Sequence, residues 1–196
     1  MNFGKNARIG AGASKLEIGH MAESGVLRCA IMVDLHSKYG NDAKAVGYDD
    51  LMAVMKEQNV LVEPGDILCL WTGLDNLILE GEKNPDPAIK HACAALNGWD
   101  EKLLDWIVES GVAAIVSDNL AVEVIKKPLP ACHCGTSLPL HDLCLFKLGI
   151  HLGELWHLAE LNAWLKNHGR NRFLLTAPPL RLTGAVGSPV TPIATV

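Results

Sequence analysis

The sequence predicts an α/β protein: a single domain over residues 1–196 with a mixed central sheet and flanking helices. Two observations carry this expectation. Short apolar runs of strand length alternate with longer segments whose apolar residues recur at helical spacing, and turn residues punctuate the boundaries. There is also no internal repeat and no low-complexity tract, so neither a solenoid nor a disordered array is expected.

Taken in order, Ser24-Gly25 introduces Val26–Leu35, a continuous apolar run that reads as a buried strand. Asp49 at a cap position followed by apolar residues at helical spacing predicts a helix over residues 49–58. Pro64-Gly65-Asp66 is a turn that launches a second buried strand, Ile67–Trp71. The chain is loop-like around Asn84-Pro85-Asp86-Pro87. Trp99–Ser110 is amphipathic and stops at Gly111, and Val112–Val116 is a third strand. An irregular stretch runs from Lys127-Pro128 to about Pro139. A helix is expected from His141 to Leu148, closed by Gly149, then a short strand Gly149–Leu152 and a helix from Glu154 to Lys166. Phe173–Ala177 makes the last strand before Pro178-Pro179 forces extended backbone.

Composition narrows the function classes. Hydrophobic residues make up 49% and charged residues 20%, as in ordinary globular proteins. The formal net charge of -5, with no basic run beyond Lys126-Lys127, argues against nucleic acid or an anionic membrane as a partner. No apolar run has the roughly 18–20 residues needed to cross a bilayer. The polar N-terminus lacks the apolar core of a secretory signal. The six cysteines therefore read as reduced thiols in a cytoplasm, and Cys29 and Cys69 read as small hydrophobes within strands.

The segment Leu138–Glu154 is mostly apolar yet carries a histidine near one end and a glutamate at the other. On a helix, His141 shares a face with Leu145 and Leu148, which points it inward. Period two on the following strand sets Ile150, Leu152 and Glu154 on one face and His151 on the other. An inward imidazole and an inward carboxylate on consecutive elements suit a shared zinc or manganese ion. The structural alternative is a carboxylate at a helix start and a histidine bonded to backbone. Cys132-His133-Cys134-Gly135 also groups zinc donors, but no second pair stands at a matching distance. His157 and His168 read as solvated. The glycines of Gly184–Pro189 do not join a strand to a helix, so no phosphate cradle is expected. No Gly-x-Ser-x-Gly elbow occurs.

Several strings taken in order resemble a known family. They are Pro64-Gly65-Asp66-Ile67-Leu68 with Trp71-Thr72-Gly73, Ser117-Asp118-Asn119 with Ala121-Val122-Glu123, Leu138-Pro139-Leu140-His141 leading to Gly149–Glu154, and Ala177-Pro178-Pro179-Leu180 with Gly184–Val190. Together they resemble the cyclase family of metal-dependent hydrolases, which includes kynurenine formamidases and isatin hydrolases. The resemblance implies a zinc or manganese site that activates water to open an amide, formamide or lactam. It places metal ligands at His141 and Glu154, and makes N-formylkynurenine hydrolysis in tryptophan catabolism the expected type of activity.

The family's His-x-Gly-Thr-His-x-Asp-x-Pro-x-His motif does not occur in the 196 residues. The expectation is therefore a chain lacking the family's N-terminal segment, with weak metal binding and no obvious proton shuttle, and with a sheet edge left for a homo-oligomer to cover. The rival expectations are a non-catalytic subunit or scaffold of the same fold, and a zinc or redox module built on Cys132-His133-Cys134.

Overall fold

The structure is a computed structural model, and it describes residues 17–81, 87–125 and 136–196. Described elements are, in order, α1 (Ile18–Ser24), β1 (Leu27–Asp34), α2 (His36–Tyr39), β2 (Lys44–Val46), α3 (Tyr48–Glu57), β3 (Ile67–Trp71) and α4 (Leu74–Gly81). A 3-10 turn (Pro87–His91) precedes β4 (Ala94–Leu96), α5 (Glu101–Ser110) and β5 (Ala114–Ser117). Then come α6 (Pro139–His141), a π-helix (Asp142–Leu148), β6 (His151–Gly153), α7 (Ala159–Asn167), β7 (Arg172–Thr176) and β8 (Ile193–Thr195).

The described residues form two compact units, one of residues 17–29 with 173–196 and one drawn from residues 30–172. In the second unit β6, β5, β3 and β1 lie side by side and run parallel. In the first, β7 and β8 pair antiparallel, with Leu175 opposite Ala194. Parallel and antiparallel pairings thus both occur, and the α/β class with mixed strand directions is as the sequence predicts. In the first unit the Glu17 carboxylate accepts the Gly184 N–H at 2.8 Å, and Ile18 N–H donates to the Ala185 carbonyl at 2.8 Å.

Within the larger unit the strands read as unbroken apolar runs because they are buried on both faces. Ile31 and Val33 of β1, Leu68 and Leu70 of β3 and Ile115 of β5 form one core with Leu51 and Val54 of α3 and Leu103 and Ile107 of α5. The Pro64-Gly65-Asp66 turn is held by Asp66, whose carboxylate accepts the Glu63 N–H at 2.8 Å and two bonds from the Arg172 guanidinium at 2.7 and 3.2 Å. Gly111 ends α5 in the left-handed region, at φ +68°, where a side chain would be strained.

Several elements depart from the sequence reading. Helix α3 is capped at Gly47 rather than Asp49. The missing side-chain acceptor comes from Asp100, which receives the Tyr48 N–H at 2.8 Å while its other oxygen caps its own helix, α5, through Lys102 and Leu103 N–H. Residues 154–158 are not helical, and α7 starts at Ala159 because Asp75 accepts the Leu158 and Ala159 N–H groups, both at 2.8 Å. Glu154 therefore stands before a turn and not at a helix start.

The segment expected as an α-helix over 141–148 begins at Pro139 and winds as a π-helix from Asp142. That winding breaks the expected face: Leu140 and Cys144 are buried while Leu145 and Leu148 are exposed. Cys29 is also exposed, not a core thiol. Phe173–Ala177 is not the last strand, since β8 follows it. The short elements α1, β2, α4 and β4 have no counterpart in the sequence reading. Among the described residues no helix is long and apolar enough to cross a membrane.

Candidate metal centre

Parallel strands deliver their carboxyl ends to one edge of a sheet, and ligand sites in α/β proteins gather there. Here β5 ends in Ser117-Asp118-Asn119, and each of these residues fixes a neighbour. Asp118, fully buried, accepts the Thr72 N–H at 2.8 Å and the Asp75 N–H at 3.3 Å, tying the end of β3 and the start of α4 to β5. Burial, with the nearby Asp75 carboxylate, holds the Asp118 carboxyl above the usual range despite these bonds.

Asn119 acts on two strings at once. Its side-chain oxygen accepts the Val122 N–H at 2.7 Å, and its backbone carbonyl accepts the Leu155 N–H at 3.0 Å. Val122 precedes Glu123, and Leu155 follows Glu154. Both Val122 (φ +58°) and Leu155 (φ +56°) occupy the left-handed region, which is unusual for branched side chains. At Val122 the Glu123 N–H bonds back to the Ala121 carbonyl. The Leu96 N–H donates to the Val122 carbonyl at 2.9 Å, and the Val124 N–H donates to the Leu96 carbonyl at 2.8 Å. Backbone strain of this kind persists only where surrounding bonds over-determine it, and it gathers at functional sites.

The strained turn sends Glu123 inward, where its side chain has no solvent exposure. One carboxylate oxygen, Oε1, accepts the His141 backbone N–H at 2.9 Å and lies 2.8 Å from His141 Nδ1. The other, Oε2, accepts the Leu140 N–H at 3.0 Å. Pro139 at the first turn of α6 needs no partner for its nitrogen, so Glu123 satisfies the next two donors. On the far side of the ring, His141 Nε2 lies 3.1 Å from Glu154 Oε1. Side-chain exposure rises along this line from 0% at Glu123 to 22% at His141 and 36% at Glu154.

Burial alone would lower the His141 pKa. The hydrogen bonds that the Glu123 and Glu154 carboxylates accept from the ring outweigh it, and the imidazole is raised to about 9. Cys144 lies nearby, but burial, reinforced by Glu123, pushes its thiol up to about 12, so it is no thiolate at neutral pH.

The two residues singled out in the sequence, His141 and Glu154, thus meet, His141 from the last position of α6, just ahead of the π-helix. His157 and His168 are exposed, as expected, and His168 stacks on Trp164 at 3.8 Å. His151 is exposed on β6 and does not join the pair. Cys132-His133-Cys134 lies outside the described residues. The residue the sequence reading missed is Glu123. Its signal was a lone carboxylate between Val122 and Val124, inside a string already noted only as a resemblance.

One nitrogen and one carboxylate oxygen are suitable donors for zinc or manganese, and a carboxylate behind the imidazole is a common support for such a ligand. A catalytic zinc takes about three protein ligands and an open position. Among the described residues, no group of three or more His, Cys, Asp or Glu side chains is placed to hold an ion. The donor chemistry therefore fits half of such a centre.

Comparison with known proteins adds a family. The sequence profile of the family described as "Putative cyclase" matches residues 7–124, more than half of the chain. The crystal structure of a novel cyclase superposes with a TM-score of 0.78 at 29% identity, over 98% of this chain and 60% of that one. Isatin hydrolase A from Ralstonia solanacearum gives a TM-score of 0.67 at 16% identity, over 98% of this chain and 68% of that one. A structure described as a potential metal-dependent hydrolase with cyclase activity gives 0.53 at 15% identity, over 86% of this chain and 64% of that one. No curated protein matches the chain. The chain spans 60% of the length of the novel cyclase, and its likeness to the other two is one of fold.

Proposed function

The chain belongs to the cyclase family, and on that premise we propose that it serves a metal-dependent hydrolase of C–N bonds in small amides, formamides or lactams. The observation that carries this reading is the His141 imidazole set between a buried carboxylate and an outward one, with Nε2 and Glu154 Oε1 together on the exposed side. The described fold, shared with isatin hydrolase A, supports the same direction.

In this reading His141 and Glu154 hold a zinc or manganese ion. Such an ion supplies a water of lowered pKa and a positive charge opposite a developing oxyanion. The chain's own contribution is placement. Glu123, without solvent exposure, fixes the ring through the N–H groups it accepts. Glu154, partly exposed, closes on a cation at little cost. Burial of Cys144 as a neutral thiol keeps a competing soft ligand out. Substrates of the arylformamide type, including N-formylkynurenine, belong to this class, and on this reading the protein acts in tryptophan catabolism. The partner is a second copy of the chain, on the argument that β6 has an unpaired outer edge among the described strands. The free thiols Cys69, Cys93 and Cys144 suit the cytoplasm as the compartment.

The two-donor set among the described residues favours one other reading, a non-catalytic subunit that keeps the family fold. Hydrolysis assays on purified protein with zinc or manganese added, against N-formylkynurenine and isatin, separate the two. Metal-stimulated turnover that is abolished by Glu154→Ala supports the hydrolase. Metal bound without turnover of either substrate supports the subunit.

A further inference from the structure

Resting on the reading of His141 and Glu154 as metal donors, we infer that Glu123 is the positioning residue of the centre. It holds His141 as the Nδ1–H tautomer and leaves Nε2 as the ring nitrogen offered to a cation, and Gly98 provides the space in which the carboxylate does this.

Three N–H groups converge on the two Glu123 oxygens: Leu140 N–H, His141 N–H and the ring Nδ1–H. A carboxylate that accepts all three leaves the imidazole nitrogen facing it as a donor, and a neutral imidazole has only one donor. Nε2 is then the lone-pair nitrogen. Glu154 does not compete for the same proton on equal terms. Its carboxylate is partly exposed and can be satisfied by water, whereas that of Glu123 has no exposure and must find its donors within the protein.

Gly98 makes this geometry possible. A Cβ on Gly98 would collide with Glu123 Oε2 and lie 3.1 Å from the Leu140 nitrogen. Gly98 is not among the residues with positive φ, so alanine fits its backbone. The main collision falls on the free end of the Glu123 side chain. Gly98→Ala therefore displaces the carboxylate while touching neither His141 nor Glu154. Groups behind metal-binding histidines typically change metal affinity by about 10- to 100-fold when removed.

The test uses the full chain with 15N-labelled histidine. The His141 ring is followed by long-range 1H–15N correlation, first metal-free at alkaline pH, where the ring is neutral, and then with zinc added. The His141→Gln variant assigns the signals. In the wild type the expected result is a protonated Nδ1 and a bare Nε2 in the metal-free ring, with the Nε2 resonance moving on zinc addition. In Gly98→Ala, with circular dichroism unchanged, the tautomer preference is lost and zinc affinity falls about 10- to 100-fold. A wild-type ring protonated on Nε2 overturns the inference, as does a folded Gly98→Ala with wild-type ring shifts and zinc affinity. If Gly98→Ala does not fold, the wild-type spectrum alone decides. If zinc does not bind the wild type, the metal reading fails, and the metal-free spectrum still decides the role of Glu123.

Discussion

Burial works against the proton on His141, but the Glu123 and Glu154 carboxylates that accept from the ring raise its pKa in the metal-free protein. The sign of the pH dependence follows. The folded pKa is raised from 6.5 to about 9, so the stabilisation is fully present below about pH 6.5 and is lost as pH rises toward 9. Urea unfolding of metal-free wild type and His141→Gln across that interval measures it. The wild type should lose its advantage steadily between pH 6.5 and 9, and a difference that grows with pH would contradict the ion-pair picture. At this scale the sequence was half legible. His141 and Glu154 stand out as polar groups in an apolar segment. Glu123 did not, because the strained turn at Val122 that aims it inward rests not only on the nearby Asn119 but on backbone bonds to Leu96, distant along the chain.

The π-helix decides which side chains of the 139–148 segment face the core. Alpha-helical spacing sends Leu145 and Leu148 inward with His141, whereas the observed winding buries Leu140 and Cys144 and exposes Leu145. Leu140→Ala should therefore cost about 2–5 kcal/mol, as for other fully buried leucines. Leu145→Ala should change stability by less than about 1 kcal/mol, as at most surface sites. Equal losses in urea unfolding would restore the α-helical arrangement. The strands β1, β3 and β5 and helices α3 and α5 were legible because buried runs and amphipathic periods are local signals. The start of α7 was not, since its cap is supplied by Asp75, more than eighty residues earlier. The same holds for α3, which borrows Asp100.

At the scale of the whole molecule, the larger unit follows a general pattern: parallel strands end at one edge, and the residues just beyond them carry the polar network. Asp34 at the last position of β1, Thr72 after β3, Asp118 after β5 and Glu154 after β6 all stand at this edge. The α/β class was readable from alternation alone, and the family from the order of short strings. Pairing of the short strands β2 and β4 was not readable, because three-residue elements carry no period of their own. In the proposed function His141 and Glu154 bind one ion together. Equilibrium zinc binding to the full chain, compared with His141→Ala and Glu154→Ala, tests it most directly. Each substitution should weaken binding by at least about 10-fold without changing the fold, since each removes one ligand from a small set. Unchanged affinity in both variants, or loss of zinc only when Cys132 or Cys134 is replaced, would contradict it.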